Sequence, residues 1–386
     1  MKYTIKKTDD VPAYLQLYKQ VREDIIQGVY PFGKKLPSKR LIAAETGIST
    51  VTVEHSYALL CEEGYIESRE RSGYFVSFRT EDTFASTEDS ALLVPSASPR
   101  SVSSSAVTSL TSSEPSPSNP RHTTSLSTEF PFSVLAKTMR SVLNDYEEGI
   151  LDRSPNCGCE ELRDALRRYL LRSRGIHADN AQIIIGSGSE YLYSLIVELL
   201  GREKLYALES PSYKKIEQVY HGAAAQYTML PLGTDGIQSS ALVSCAADVL
   251  HISPYRSFPS GVTASASKRH EYMRWAAKKQ RYIVEDDFES EFTVSKKPEE
   301  TLFSHSPDDN VIYMNTFSKT ISPSLRVGYM VLPKHLVPVF EEKLGFYSCT
   351  VPTYMQYVLA KLLNNGDFER HINRVRRKKR KEQQDR

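Results

Sequence analysis

The chain has 386 residues, with 49 Lys and Arg side chains against 47 Asp and Glu. That length exceeds one ordinary hydrophobic core, so two domains are expected, and contents of 40% hydrophobic and 25% charged residues exclude a largely disordered chain. A net charge of +2 is too small to imply nucleic-acid binding by itself, so any such role must rest on local features.

No apolar run approaches the roughly 20 residues that cross a bilayer, and Met1-Lys2-Tyr3-Thr4 does not open a signal peptide. A cytoplasmic protein without membrane contact is expected. Five cysteines, an odd number, argue against a disulfide framework. Cys157 and Cys159 form a lone C-x-C without partners at metal spacing, so they are read as ordinary thiols and no metal site is expected.

In chain order, Leu15, Tyr18, Val21 and Ile25 recur at helical spacing, with Gly28 as a stop. Leu41-Ile42-Ala43-Ala44-Glu45-Thr46-Gly47-Ile48-Ser49 has the layout of a helix-turn-helix. Ala43 lets two helices approach, Gly47 makes the turn, Ile48 and Val53 pack inward, and Ser49 caps a second helix running through His55, Tyr57 and Leu60 towards Gly64. Tyr65-Ile66-Glu67-Ser68 and Gly73-Tyr74-Phe75-Val76 read as two strands around Arg69-Glu70-Arg71-Ser72, a basic tip suited to a wing.

With Leu36-Pro37-Ser38-Lys39-Arg40 ahead of it, the segment from Pro12 to Val76 resembles the winged helix of the GntR family. The resemblance implies binding to double-stranded promoter DNA. Ser38 and the start of the recognition helix, Ser49 to Thr52, would face it. Lys39, Arg40, Arg69 and Arg71 would contact phosphates, and Thr50, Val51 and Thr52 would face base edges. Relatives often carry an arginine suited to guanine at the position of Thr50, so operator preference does not carry over.

From about Glu81 to Ser127 the sequence turns to Ser, Thr and Pro, as in Pro115-Ser116-Pro117-Ser118-Asn119-Pro120. This composition reads as a disordered linker, residues 81–127, between a DNA-binding domain, 1–80, and a large domain, 128–386. As a flexible coil it would span roughly 35–40 Å root-mean-square.

Beyond the linker, apolar runs alternate with helical segments: Ile183 to Ile185, then Ser189 to Leu200; Val249 to Ile252, then Ser267 to Lys279; Tyr282 to Val284; Val311 to Met314. That rhythm predicts an α/β domain with a mainly parallel sheet.

Asn315-Thr316-Phe317-Ser318-Lys319 follows the last of these strands, with Arg326 seven residues after the lysine. A lysine amine there suits a Schiff base to an aldehyde whose phosphate is held by hydroxyls and a guanidinium. Gly186-Ser187-Gly188-Ser189-Glu190, between a strand and a helix, offers backbone N–H groups to a phosphate. Val284-Glu285-Asp286-Asp287-Phe288 supplies a carboxylate for a pyridine nitrogen. Glu209-Ser210-Pro211-Ser212-Tyr213 places an aromatic ring where it could stack.

Together, the residues from about Glu129 onward resemble the fold-type-I aminotransferases, a three-layer α/β fold that binds pyridoxal 5'-phosphate (PLP). The whole chain resembles the MocR subgroup of GntR regulators, which fuse the two modules. By that resemblance Lys319 holds PLP covalently, Asp286 pairs with the ring nitrogen and Tyr213 stacks. Gly188, Ser189, Glu190, Thr316, Ser318 and Arg326 surround the phosphate, the segment Pro254 to Gly261 approaches the ring hydroxyl, and the protein is a homodimer.

Two departures bear on turnover. Relatives usually carry tyrosine at the position of Phe288, where a phenol donates to the ring oxygen, and Tyr255-Arg256-Ser257 stands where Ser-His-Gln is common. The basic run from Arg374 to Lys381 reads as the polar face of a long helix. In the resemblance that helix leads into a small C-terminal domain, with its carboxylate-binding arginine, which this sequence does not include. The expectation is a regulator that senses PLP or its adduct with a small amino compound. The rivals are an amino-acid aminotransferase and a DNA-binding protein with a cofactor-free dimerisation scaffold.

Overall fold

A computed structural model describes residues 3–5, 12–62, 65–69, 72–78, 130–287, 290–292, 301–306 and 309–384. The expected linker, the wing residues Glu70 and Arg71, and Phe288 lie outside the described residues.

The N-terminal unit contains helices α1 (Ala13–Ile26), α2 (Lys39–Thr46) and α3 (Thr50–Glu62), then strands β1 (Ile66–Arg69) and β2 (Gly73–Val76). Leu17, Tyr18, Val21 and Ile25 of α1 are buried against Ile42, Val53, Tyr57 and Leu60. Each such side chain removed from water contributes roughly 1.5–3 kcal/mol. Both helix starts are capped: the Ser38 hydroxyl accepts from Leu41 N at 3.2 Å, and the Ser49 hydroxyl from Thr52 N at 3.1 Å. Gly47 ends α2 in the left-handed region at φ 69°, which a side chain would strain. The antiparallel wing pairs Ile66 with Val76 and Arg69 with Gly73. Arg69 is therefore the last residue of β1, not part of the tip as the sequence pattern had it.

The large unit comprises α4 (Phe132–Tyr146), α5 (Glu160–Arg174), β3 (Ile183–Gly186), α6 (Ser189–Leu200), β4 (Leu205–Ser210), α7 (Lys214–Gly222), β5 (Gln226–Pro231), α8 (Ser239–Ser244), β6 (Val249–Ile252), α9 (Ala266–Ala277), β7 (Tyr282–Asp286), β8 (Val311–Thr316), β9 (Gly328–Val331), α10 (Leu336–Leu344), α11 (Thr353–Asn364) and α12 (Asp367–Gln384). Its seven strands lie in the order β3-β9-β8-β7-β6-β4-β5. Only the pairings made by β9 are antiparallel, so the sheet is mainly parallel, as its apolar runs imply.

Strand alternation builds a core on each face. Ile183 and Ile185 pack towards α5 and α11, while Ile184 packs towards α6 and α10. In α12, Phe368, Ile372 and Val375 are buried, whereas Arg377, Lys378 and Lys381 stand exposed. Apart from Arg376, whose Nε donates to Glu291 O at 2.6 Å, the basic run is thus the outer face of an amphipathic helix.

The two units touch. Ala266, at the start of α9, is fully buried within the apolar cluster of the winged helix. Beside it the Tyr65 hydroxyl lies 3.2 Å from His270 Nε2, the Phe78 ring stands edge-on to the His270 ring at 5.3 Å, and Arg22 Nη1 lies 2.9 Å from His305 Nε2.

Candidate functional site

A cavity of about 380 Å³ opens at the carboxyl ends of the strands, the usual place for a ligand in an open α/β sheet. Ser189, Glu190, Tyr213, Asp286, Thr316, Ser318, Lys319 and Arg326 all line it. Eight residues singled out in four separated segments thus share one wall. Gly188 lies at its edge, at φ 92°, where a Cβ would come within 3.2 Å of the Arg326 guanidinium. Only glycine leaves that space open at the start of α6.

The three consecutive carboxylates at the end of β7 show why only one serves the cavity. Alternation sends Glu285 and Asp287 away from it. Glu285 accepts from Leu302 N and Phe303 N, both at 2.9 Å, and Asp287 accepts from the Tyr313 hydroxyl at 2.8 Å and faces Arg174 Nε at 3.2 Å. Asp286 points into the cavity. Its Oδ2 accepts from the Tyr193 hydroxyl at 2.5 Å and lies 3.6 Å from His251 Nε2, while its Oδ1 is buried with no hydrogen-bond partner among the described residues. Burial, then the neighbouring Asp286 charge, holds the Tyr193 phenol protonated well above its ordinary range, so it remains a donor.

Glu190 does not present a free charge. Its carboxylate bridges Lys215 Nζ at 2.6 Å and Arg326 Nη2 at 2.8 Å, and Lys215, followed by Arg326, holds it below the usual carboxylate range. An anion arriving here would meet backbone N–H groups of the first turn of α6 and the Arg326 guanidinium. The glycine before that helix offers no side-chain cap to compete for them.

Sequence reasoning missed Tyr193, His251 and Lys215, and it named Glu209 without a role. Tyr193 falls four residues after Ser189, hence on the same helical face, a periodicity that could have found it. His251 is braced by the Tyr220 hydroxyl at 2.9 Å from Nδ1. Glu209 is buried, accepts from the Ser257 hydroxyl at 2.6 Å, and is pushed up to about 7 by burial.

In the winged helix, Ser38, Arg40, Ser49, Thr50 and Val51 are exposed, with Val51 at 71%, and Lys39 and Thr52 are half-buried. Lys39 pairs with Glu54 at 2.9 Å, and Arg69 pairs with Glu67 at 2.6 Å while lying over the Phe75 ring.

Fold and pocket therefore define a winged helix joined to an aminotransferase-like α/β domain. Comparison with known proteins agrees. The family profile "Bacterial regulatory proteins, gntR family" matches residues 13–76, and "Aminotransferase class I and II" matches residues 127–386. The HTH-type transcriptional regulator YdeL of Bacillus subtilis is 32% identical over 98% of this chain and 79% of the relative. The probable rhizopine catabolism regulatory protein MocR of Rhizobium meliloti is 27% identical over 95% of this chain and 75% of its own. The pyridoxine biosynthesis transcriptional regulator PdxR of Corynebacterium glutamicum is 25% identical over 94% and 75%.

Among solved structures, kynurenine aminotransferase of Pyrococcus horikoshii superposes with a TM-score of 0.59 at 26% identity, and the match covers 64% of each chain. The chain thus spans somewhat less than two thirds of that enzyme. The chain belongs to the MocR subgroup of GntR-family transcriptional regulators, DNA-binding proteins that carry an aminotransferase-like domain. Among the described residues no helix is long and apolar enough to cross a membrane.

Proposed function

We propose that this regulator binds PLP in the strand-end cavity and reads its occupancy, or its adduct with a small amino compound, out as a change in affinity for promoter DNA. The observation that carries the reading is the orphaned Oδ1 of buried Asp286 in the same cavity as Lys319. A buried carboxylate oxygen without a donor is costly, and a protonated ring nitrogen would satisfy it. The name of the PdxR relative, tied to pyridoxine biosynthesis, points to related chemistry.

On this reading the Lys319 amine is the covalent attachment point and Tyr213 covers one ring face. Arg326, the hydroxyls of Ser189, Thr316 and Ser318, and the backbone of Gly188 to Glu190 hold the phosphate. Tyr193 and His251 orient Asp286. When bound, PLP supplies an aldehyde that takes up amines and a ring that withdraws electrons. The units would run 1–80, 81–127 and 128–386. Exposed Phe132, Leu151 and Phe346, at 80%, 81% and 70%, support a homodimer that covers them.

On the DNA side, Ser38, Lys39, Arg40, Arg69 and Arg71 would take the phosphate backbone. Ser49, Thr50, Val51 and Thr52 would face the major groove, where the Val51 side chain suits a thymine methyl. The test is absorbance of the full chain with added PLP, beside Lys319→Ala, together with affinity for a promoter fragment of its own locus. A lysine-dependent band with altered DNA affinity is expected. No band in the unmutated protein would leave a scaffold, and sustained keto-acid release from amino acids would make it an aminotransferase.

A further inference from the structure

We propose that the Glu190 carboxylate is a built-in anion of the cavity: it holds the Arg326 guanidinium until a ligand that also bonds Lys319 displaces it, and so sets both the affinity for PLP and the rejection of free phosphate. This deepens the functional reading above and rests on it.

The geometry brings the carboxylate and an incoming phosphate to one atom. Glu190 Oε2 lies 2.8 Å from Arg326 Nη2. A Cβ on Gly188 would come within 3.2 Å of that same nitrogen, so Nη2 is the corner of the guanidinium nearest the start of α6, where backbone N–H groups stand without a side-chain cap. A phosphate seated on those N–H groups needs Nη2 as well. Glu190 and the phosphate therefore compete for it, and as like charges they also repel each other.

Two features argue against a carboxylate that serves only to aim Arg326. The arginine is already aimed by its backbone: it sits at φ 48°, a left-handed conformation that a side chain strains, between the Leu325 N to Ser322 O bond at 3.2 Å and the Phe317 N to Val327 O bond at 2.9 Å. The ion pairs also contribute little to stability. Lys215 and Arg326 expose 50% and 49% of their side chains, and solvent screens most of the attraction in such pairs. What the pairs do is hold a negative charge at the mouth of the cavity.

Lys215 gives the displaced carboxylate somewhere to stay. From α7 it holds the other oxygen, Oε1, at 2.6 Å, so Glu190 keeps a partner when Arg326 turns to a phosphate. The result is selectivity by total contact. Inorganic phosphate can gain only Arg326 and the α6 N–H groups, and the first of these is taken. PLP adds the bond to Lys319 and the contact with Asp286 in the same cavity, enough to release the arginine. Because the open arrangement is only one of two, the apparent affinity is lowered, and occupancy can follow the PLP concentration as a sensor requires.

The test uses the full chain and three probes: PLP, pyridoxal, which lacks the phosphate, and inorganic phosphate. Glu190→Gln keeps the shape of the side chain and removes its charge. The variant should bind PLP about fivefold more tightly by absorbance titration, keep its pyridoxal affinity within about twofold, and take up inorganic phosphate by calorimetry at concentrations where the unmutated protein takes up none. Unchanged or weaker PLP binding would overturn the proposal, since the carboxylate would then be no competitor of the phosphate, and an equal gain for pyridoxal would overturn it too. Lys215→Met should weaken PLP binding by leaving Glu190 to Arg326 alone, and should weaken it less when Glu190→Gln is also present. Equal losses in the two backgrounds would overturn the role given to Lys215. Absence of a Lys319-dependent band from both the unmutated protein and Glu190→Gln would sink the functional reading, while the phosphate titration would still decide whether Glu190 occupies the anion site.

Discussion

At the residue scale, the polar chemistry of the large unit divides between groups consumed by structure and groups held ready. Arg174 is buried against Asp287, with Glu291 at 3.9 Å and Ser290 in contact, and Asn315 donates to Glu291 at 2.7 Å. This network lies between the strand ends that carry Asp286 and Lys319. Arg174→Met should cost about 3–5 kcal/mol, because it strands two carboxyl groups in the interior. Asp164→Ala, which breaks the exposed pairs with Arg167 and Arg168, should cost no more than about 1 kcal/mol. Urea unfolding of the two variants checks the contrast. Tyr193→Phe removes the donor to Asp286 while keeping the ring, and PLP affinity from absorbance titration should fall roughly tenfold, about 1.4 kcal/mol. An unchanged affinity would show that Tyr193 does not position the carboxylate.

At the scale of the element, what the sequence made legible follows from burial. β3, β6, β7 and β8 are covered on both faces and so read as continuous apolar runs, and the Gly47 turn and Ser49 cap carry their own local chemistry. β5 was illegible because its edge position leaves Gln226 to Met229 exposed or half-buried, and β9 because its four residues follow directly on the Arg326 loop. Ser49→Ala should lower stability by about 1 kcal/mol, seen as a lower unfolding midpoint.

The joint at α9 was illegible too. Helical periodicity marks Ala266 and His270 as inward-facing without saying which domain they meet.

At the scale of the whole molecule, a net charge of +2 must coexist with binding to a polyanion, and two of the basic side chains expected at the phosphates are already paired within the winged helix. Four basic side chains in each of two readers would release about eight counterions, giving a salt slope near −7. Lys39 and Arg69 are already matched by Glu54 and Glu67. Each carboxylate would sit close to the phosphate its partner approaches, so these pairs release little. Arg40 is exposed with no carboxylate partner among the described residues, and if Arg71 also gives up its counterions in full the slope is near −4. Arg40→Ala in a dimer should then reduce the slope by about 2, and Lys39→Ala by less than half as much. Titrations of the promoter fragment between about 50 and 200 mM salt measure both, and equal losses would mean that DNA displaces Glu54 and recruits Lys39 after all.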